Sequence, residues 1–166
     1  IIAISPGIKH MPFIQTLASI IVVAIENKRY SKELLEQEVN KKEMELAAEM
    51  QKLLFPINLP NDDSFDVAAR YESKHLVGGD YYDFIFLNEN ECFLCIADVS
   101  GKGVPASLLM ALCQTNLRHY VRKSKSPREI LIKLNQDLEE RIREDMFITL
   151  ILAIIDTQAN TITYTR

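Results

Sequence analysis

Hydrophobic and polar residues follow two different periods along this chain, and the change of period divides it in two. Residues 13–55 contain no glycine or proline and are rich in Glu, Lys, Leu, Met and Ala, which favour helices. This stretch predicts one long helix, or two nearly continuous ones. Pro56 and Pro60 end it, because proline cannot donate to a helix and restrains the residue before it. A second unit begins there.

From residue 56 onward, shorter segments with strand-like alternation or helical spacing predict a different architecture. In chain order the expected elements are strands at 65–71, 81–87 and 91–99, helices at 106–120 and from the capping residue Ser126 to about residue 143, and strands at 147–155 and 161–164. Strands that are grouped apart from helices favour an antiparallel sheet with helices packed on it. The predicted fold class is therefore α+β, a layered sandwich.

The helices carry patterns that predict their buried and exposed faces. Alternating steps of four and three residues from Ile21 to Leu53 give a broken heptad seam, which can pair weakly with a second copy of the chain. A helix that packs only on its own domain is the alternative. In the helix at 106–120, helical spacing predicts that four leucines are buried, whereas Arg118 and Arg122 are expected on a solvated face. The leucines are Leu108, Leu109, Leu112 and Leu117.

Composition and charge narrow the classes of function. Hydrophobic residues make up 48% of the chain and charged residues 25%, which is the balance of a folded, soluble protein. The net charge of −4 provides no basic surface for nucleic acid. The longest apolar stretch, residues 13–25, is interrupted by polar residues and is shorter than the ~20 residues that cross a bilayer, so no membrane span is predicted in this chain.

Three cysteines, Cys92, Cys95 and Cys113, form an odd number without the spacing of a disulfide framework. We interpret them as reduced core residues of a cytoplasmic protein. A redox pair or a zinc site is the alternative.

Two acidic residues stand beside glycine-containing turns. Asp80 is at the entry to one predicted strand and Asp98 is at the exit of the next. If these strands form a hairpin about the turn at 88–90, the two carboxylates meet at the same rim of the sheet. The glycines beside them suit a backbone that turns sharply. They are Gly78, Gly79, Gly101 and Gly103.

Two carboxylates at close range repel each other, so either one is protonated or a cation lies between them. Because these turns contain no histidine or thiolate, such a cation would have oxygen ligands, which favours Mg²⁺ or Mn²⁺. Ordinary turn chemistry is the alternative, since Asp beside Gly is common in turns. Asp83 either supports a metal-bound water or is a plain strand residue.

Several motifs occur in one order over about residues 45–166. They are Gln51-x-x-Leu54-x-Pro56, VGGDYYDF at 77–84, ADVSGKGVPASLLMA at 97–111, Ser126-Pro127 with Leu134-Asn135, and Phe147-Ile148-Thr149-Leu150. This combination resembles the PPM-type phosphatases of the bacterial RsbU/SpoIIE group. The resemblance implies an α-β-β-α sandwich with a centre of two Mn²⁺ or Mg²⁺ ions at one end of the paired sheets.

In that family, the aspartates that match Asp80 and Asp98 hold the ions. Asp98 matches the one that bridges both ions, and the carbonyl of the residue matching Val99 adds a ligand. The resemblance implies that a hydroxide between the ions attacks the phosphate. The implied substrate is a phosphoserine or phosphothreonine, commonly on an anti-sigma-factor antagonist of the STAS type. A non-catalytic, degenerate or truncated phosphatase-like module that only binds a partner is the alternative.

The expected organisation has three parts. Residues 1–28 resemble the end of a GAF-type sensory domain, residues 29–55 form a helical linker with a possible coiled coil, and residues 56–166 form the first part of the phosphatase domain. Residues 71–76 depart from the family pattern, which usually has a Pro-Ala pair there. The family's further metal-binding aspartates are expected beyond Arg166.

Overall fold

The computed structural model of the chain describes residues 11–62 and 64–166; residues 1–10 of the predicted GAF-like segment lie outside this part. One unit of the chain ends at Glu43, and the other comprises Met44–Arg166. The elements within the described residues are α1 (Met11–Lys52), β1 (Tyr81–Phe86), β2 (Glu91–Val99), α2 (Val104–Val121), α3 (Pro127–Glu139), β3 (Ile148–Asp156) and β4 (Thr161–Thr165).

The prediction of one long helix is confirmed, since α1 is continuous over 42 residues. In the first unit every described side chain, from residue 11 to residue 43, is exposed. Two pairs one helical turn apart, Arg29–Glu33 and Lys32–Glu36, add weak stabilisation of about 0.3–0.5 kcal/mol each. Among the residues that the structure describes, no helix has the length and apolar character needed to cross a membrane.

In the second unit, the four strands form one antiparallel sheet in the order β1-β2-β3-β4. The β1–β2 hairpin turns at Asn88, whose side-chain oxygen accepts hydrogen bonds from the backbone N–H groups of Asn90 and Glu91, both at 2.9 Å. The sheet and the two helices that follow β2 confirm the predicted α+β class.

One face of the sheet packs against α2 and α3 and forms the core. Inward side chains of β2 alternate along the strand, and α2 and α3 contribute residues at helical spacing. Burial of each large apolar side chain stabilises the fold by about 1.5–3 kcal/mol. The three cysteines are buried and unpaired, as predicted. The core includes Phe93, Cys95, Met110, Leu117, Ile130, Leu134 and Leu152.

The opposite face of the sheet carries exposed apolar side chains. Phe86, Ile96, Ile151 and Tyr164 are each at least half exposed, and Ile96 lies directly opposite Ile151. Because side chains alternate across a strand, Asp98 belongs to this same face. Within the described residues, helices pack on one side of the sheet only, while on this other face Phe65 packs against Phe84 and Phe86 of β1.

The predicted strand at 65–71 is wrong. Its backbone makes only an isolated bridge, between Asn61 and Asp66, and the described residues provide no strand that pairs with it. Local hydrogen bonds replace the ladder, because Asp62 accepts from the backbone N–H groups of Ser64 and Phe65. Alternation alone indicates an extended, half-buried segment rather than a paired strand.

The predictions for α2 and α3 include one wrong apolar position and one wrong boundary. Leu108 is 66% exposed, because it lies off the buried stripe of α2 that includes Leu109 and Leu117. The regular part of α3 ends at Glu139, before the expected boundary near residue 143. The predicted start is confirmed, since the Ser126 side chain accepts a hydrogen bond from the backbone N–H of Glu129.

Candidate functional site

The two turn aspartates lie side by side at the open end of the β1–β2 hairpin. Tyr81 pairs with Ala97, so the register continued by one residue sets Asp80 opposite Asp98. Burial raises the pKa of the Asp80 carboxyl above its ordinary value, and the charge of Asp98 raises it further. The structure thus brings together the two carboxylates that the sequence singled out.

Two open clefts are lined by both Asp80 and Asp98. The larger, of about 720 Å³, lies over the sheet face opposite α2 and α3, and its lining includes Tyr82, Ile96 and residues 68–72. The smaller, of about 120 Å³, is formed by loops. Its lining includes three basic side chains, Lys74, His75 and Lys102. An anionic group that enters this cleft would meet positive charge beside the carboxylates.

Gly79 lies in close contact with the backbone of Val99. A Cβ added at Gly79 would lie 2.7 Å from the Val99 carbonyl oxygen and 3.0 Å from the Val99 Cβ, and 3.3 Å from the Cβ of Ala106. A side chain at this position would therefore push the loop away from β2. Because glycine has no side chain, the loop that leads to Asp80 can pass directly over the Val99 carbonyl.

The loop after β2 turns sharply at Gly101 and Gly103, whose φ angles are +96° and +67°. These values lie in the left-handed region, which glycine adopts without strain. Ser100 fixes the start of the loop, because its backbone N–H donates to the Phe147 carbonyl at 2.8 Å and its Oγ accepts from the Phe147 N–H at 2.8 Å. Lys102 is thereby held between two glycines at the rim of the smaller cleft.

Asp83 is not beside the other two aspartates. It is fully buried on the face packed against α2, where its carboxylate accepts from the Tyr81 hydroxyl at 2.5 Å and from the Phe84 N–H at 3.0 Å. Arg118 donates to both of its oxygens, from Nε at 2.7 Å and from Nη2 at 2.9 Å. Asp83 therefore joins β1 to α2, and of its two interpretations this position gives no support to the one in which it supports a metal-bound water.

The prediction that Arg118 lies on a solvated face is consequently wrong. Its guanidinium reaches inward to a carboxylate that could not be buried without a cationic partner. The hydrogen bonds to Asp83 raise the pKa of Arg118. Burial, followed by the charge of Asp83, raises the pKa of Tyr81. Arg122, by contrast, is exposed as expected.

The donors at the hairpin end fit part of a site for Mg²⁺ or Mn²⁺. Two carboxylates and a backbone carbonyl are the hard oxygen ligands that these ions prefer. A cation would also relieve the repulsion that contributes to the raised pKa of Asp80. In residues 11–62 and 64–166 there is no group of three or more His, Cys, Asp and Glu side chains that could hold a metal. Asp80, Asp98 and the Val99 carbonyl would therefore form only part of a ligand set.

Comparison with known proteins gives matches in sequence and in fold. Residues 88–166 match the family model of Stage II sporulation protein E, SpoIIE. The chain is 31% identical over 130 residues to phosphoserine phosphatase RsbU of Bacillus subtilis, covering 78% of this chain and 38% of that protein. It is 35% identical over 95 residues to protein IcfG of Synechocystis, covering 55% of this chain and 15% of that protein. The chain therefore spans well under half the length of either relative.

Among solved structures, the SiaA-PP2C domain of Pseudomonas aeruginosa is similar in fold, with a TM-score of 0.64. The match covers 77% of this chain and 53% of that domain at 18% sequence identity. At this level of identity the similarity concerns the fold alone.

Proposed function

Because the chain is a fragment of a SpoIIE/RsbU-like PPM phosphatase domain, we propose that the complete domain is a metal-dependent protein serine/threonine phosphatase. The observation that carries this proposal is the pairing of Asp80 with Asp98 at the end of the hairpin. Two carboxylates at close range, one of which has its pKa raised by burial and by the charge of the other, are well suited to share divalent cations. RsbU is by name a phosphoserine phosphatase, which agrees with this chemistry.

The proposed cofactor is a pair of Mn²⁺ or Mg²⁺ ions. Asp80, Asp98 and the carbonyl of Val99 would hold them, and ligands outside this chain would complete the site. When bound, such ions neutralise phosphate charge and activate water for in-line attack on phosphorus. Gly79 lets the loop of Asp80 approach the Val99 carbonyl, Gly78 leaves room for the Tyr71 and Ser73 side chains, and Gly101 and Gly103 provide the positive φ angles of the loop after β2.

The proposed substrate is a phosphoserine or phosphothreonine on a regulatory protein, such as an anti-sigma-factor antagonist of the STAS type. The smaller cleft supports an anionic substrate, because Lys74, His75 and Lys102 line it together with the paired carboxylates. The positive charges of Lys74 and Lys102 would attract a phosphate and orient it toward the site. We propose a cytoplasmic location, since a bacterial regulator of this type acts there.

Metal removal tests the enzymatic function. The complete domain is incubated with a phosphoserine peptide, and released phosphate is measured with Mn²⁺, with Mg²⁺ and after treatment with a chelator. Release is expected with either ion, loss of release is expected after chelation, and restored ion is expected to recover it. Phosphate release that is insensitive to the chelator would refute the metal-dependent mechanism.

A partner-binding module without catalysis is the second candidate, because the described residues provide only a partial ligand set. The same assay separates the two candidates. A complete domain that binds a phosphoprotein but releases no phosphate at any Mn²⁺ or Mg²⁺ concentration would favour this second function.

We also propose that α1 pairs with α1 of a second copy. All six apolar positions of the heptad seam, from Ile21 to Leu53, are at least 48% exposed in the chain. Burial of this row against an identical helix would remove it from water. Sedimentation of the chain with and without residues 1–45 is expected to show a dimer and a monomer, respectively. A monomer in both cases would contradict the pairing.

A further inference from the structure

Gln51, in the last turn of α1, is the one buried residue in the described part of that helix. Its side-chain amide binds both backbone polar groups of a single residue. Nε2 donates to the Gly78 carbonyl at 2.6 Å, and Oε1 accepts from the Gly78 N–H at 3.1 Å. A paired contact of this kind fixes the orientation of the Gly78 backbone as well as its position.

The residue held in this way belongs to the loop that carries Asp80. Gly78 is two residues before Asp80, and the intervening Gly79 lies against the Val99 carbonyl. The loop is therefore fixed by Gln51 at Gly78 and by the backbone of β2 at Gly79. Asp80 itself is exposed, so its placement opposite Asp98 depends on the backbone that precedes it.

We propose that Gln51 is a positioning residue for the metal-binding carboxylates, an inference that rests on the function proposed above. By holding Gly78, its amide keeps Asp80 facing Asp98 before any ion binds. A ligand that is already in place loses less conformational freedom on binding than one on a free loop. Residues of this kind contact a metal ligand rather than the metal itself. Their substitution typically lowers metal affinity by about 10- to 100-fold.

The packing around Gln51 separates this role from a simple contribution to stability. The segment that follows is anchored by aromatic contacts, with the Phe55 ring 4.6 Å from the Tyr71 ring and 5.1 Å from the Tyr82 ring between centroids. A methionine at position 51 would fill a similar volume and retain helix propensity. Gln51→Met therefore removes the two hydrogen bonds while the aromatic contacts hold the helix end.

Gln114 offers a matched control. It is buried to the same degree as Gln51, and its Nε2 likewise donates to a backbone carbonyl, that of Leu54, at 3.2 Å. That carbonyl does not belong to the loop of Asp80. If buried glutamines matter here only for stability, Gln51→Met and Gln114→Met should act alike.

The experiment compares these two variants in the complete domain. Mn²⁺ affinity is measured from the electron paramagnetic resonance signal of the free ion, and hydrogen exchange of the Gly78 amide is measured without metal. Gln51→Met is expected to weaken Mn²⁺ binding by about 10- to 100-fold and to accelerate exchange at Gly78. Gln114→Met is expected to leave both quantities unchanged.

If Gln51→Met does not fold, Gln51→Glu replaces it, because the carboxylate can still accept from the Gly78 N–H but cannot donate to the carbonyl. An intermediate loss of Mn²⁺ affinity would then support the inference. Unchanged affinity and unchanged Gly78 exchange in the folded variant would overturn it, as would equal changes in both glutamine variants. The proposed function fails separately, when the wild-type domain binds Mn²⁺ but releases no phosphate.

Discussion

Replacing Asp98 with asparagine in the complete domain is expected to lower Mn²⁺-dependent phosphate release by about a thousandfold or more. An amide is neutral and is a much weaker ligand for a hard cation than a carboxylate. The loss of one shared ligand removes several kcal/mol of transition-state stabilisation, and each 1.36 kcal/mol corresponds to a factor of about ten. Initial rates on a phosphoserine peptide at saturating Mn²⁺ measure the effect.

The same substitution is expected to leave the metal-free domain at least as stable as the wild type. Asp98 contributes to the raised pKa of Asp80, so removal of its charge relieves repulsion in the folded state. Urea denaturation without metal checks this expectation. Glu89→Gln, in the exposed turn at the other end of the hairpin, provides the control, with activity expected to stay within about twofold of wild type. Equal rates for Asp98→Asn and wild type would remove the enzymatic assignment.

Arg118→Met is expected to lower the free energy of unfolding by about 3 kcal/mol. Among the described residues, the variant leaves the fully buried Asp83 carboxylate with only the Tyr81 hydroxyl and the Phe84 N–H as partners. An unpaired charge in the interior is costly because the hydration that it lost on folding is not replaced. The midpoint of urea denaturation, at unchanged slope, measures the loss.

Arg143→Met is the matched control, since Arg143 pairs with Asp145 and both side chains are more than 60% exposed. A surface pair of this kind contributes about 0–1 kcal/mol. The two substitutions change the same residue type and differ in the burial of the acidic partner. Similar losses from both would show that the Asp83 contact contributes no more than an exposed pair.

The sequence was most informative where a pattern is local. The long helix and the β1–β2 hairpin follow from period and from proline positions, which depend on neighbouring residues only. The segment at 65–71 shows the limit of this reasoning. Its alternation is real, but a strand also needs a paired neighbour, and Val67 instead donates to the nearby Pro60 carbonyl at 3.0 Å.

Only part of the site was predicted, because only part of it depends on residues that are close together in the chain. Asp80 and Asp98 could be brought together by counting along a hairpin, whereas the partners of Asp83 and Gln51 are 35 and 27 residues away along the chain. The sequence nevertheless contained a signal that Asp83 has a distant partner. Asp83 shares a strand face with Tyr81, and an acidic residue on an apolar face requires a cationic partner. No comparable spacing connects Gln51 with Gly78.

The three buried cysteines give the chain an internal reporter of unfolding. Burial raises the pKa of Cys92 to about 11 and that of Cys113 to about 12, and it raises the pKa of Cys95 as well. Because the thiolate is the species that alkylating reagents attack, the native chain at neutral pH should react slowly. Cys95 and Cys113 belong to the core between sheet and helices, so opening of that layer would release these two thiols, and their alkylation rates would follow the motion without any engineered label.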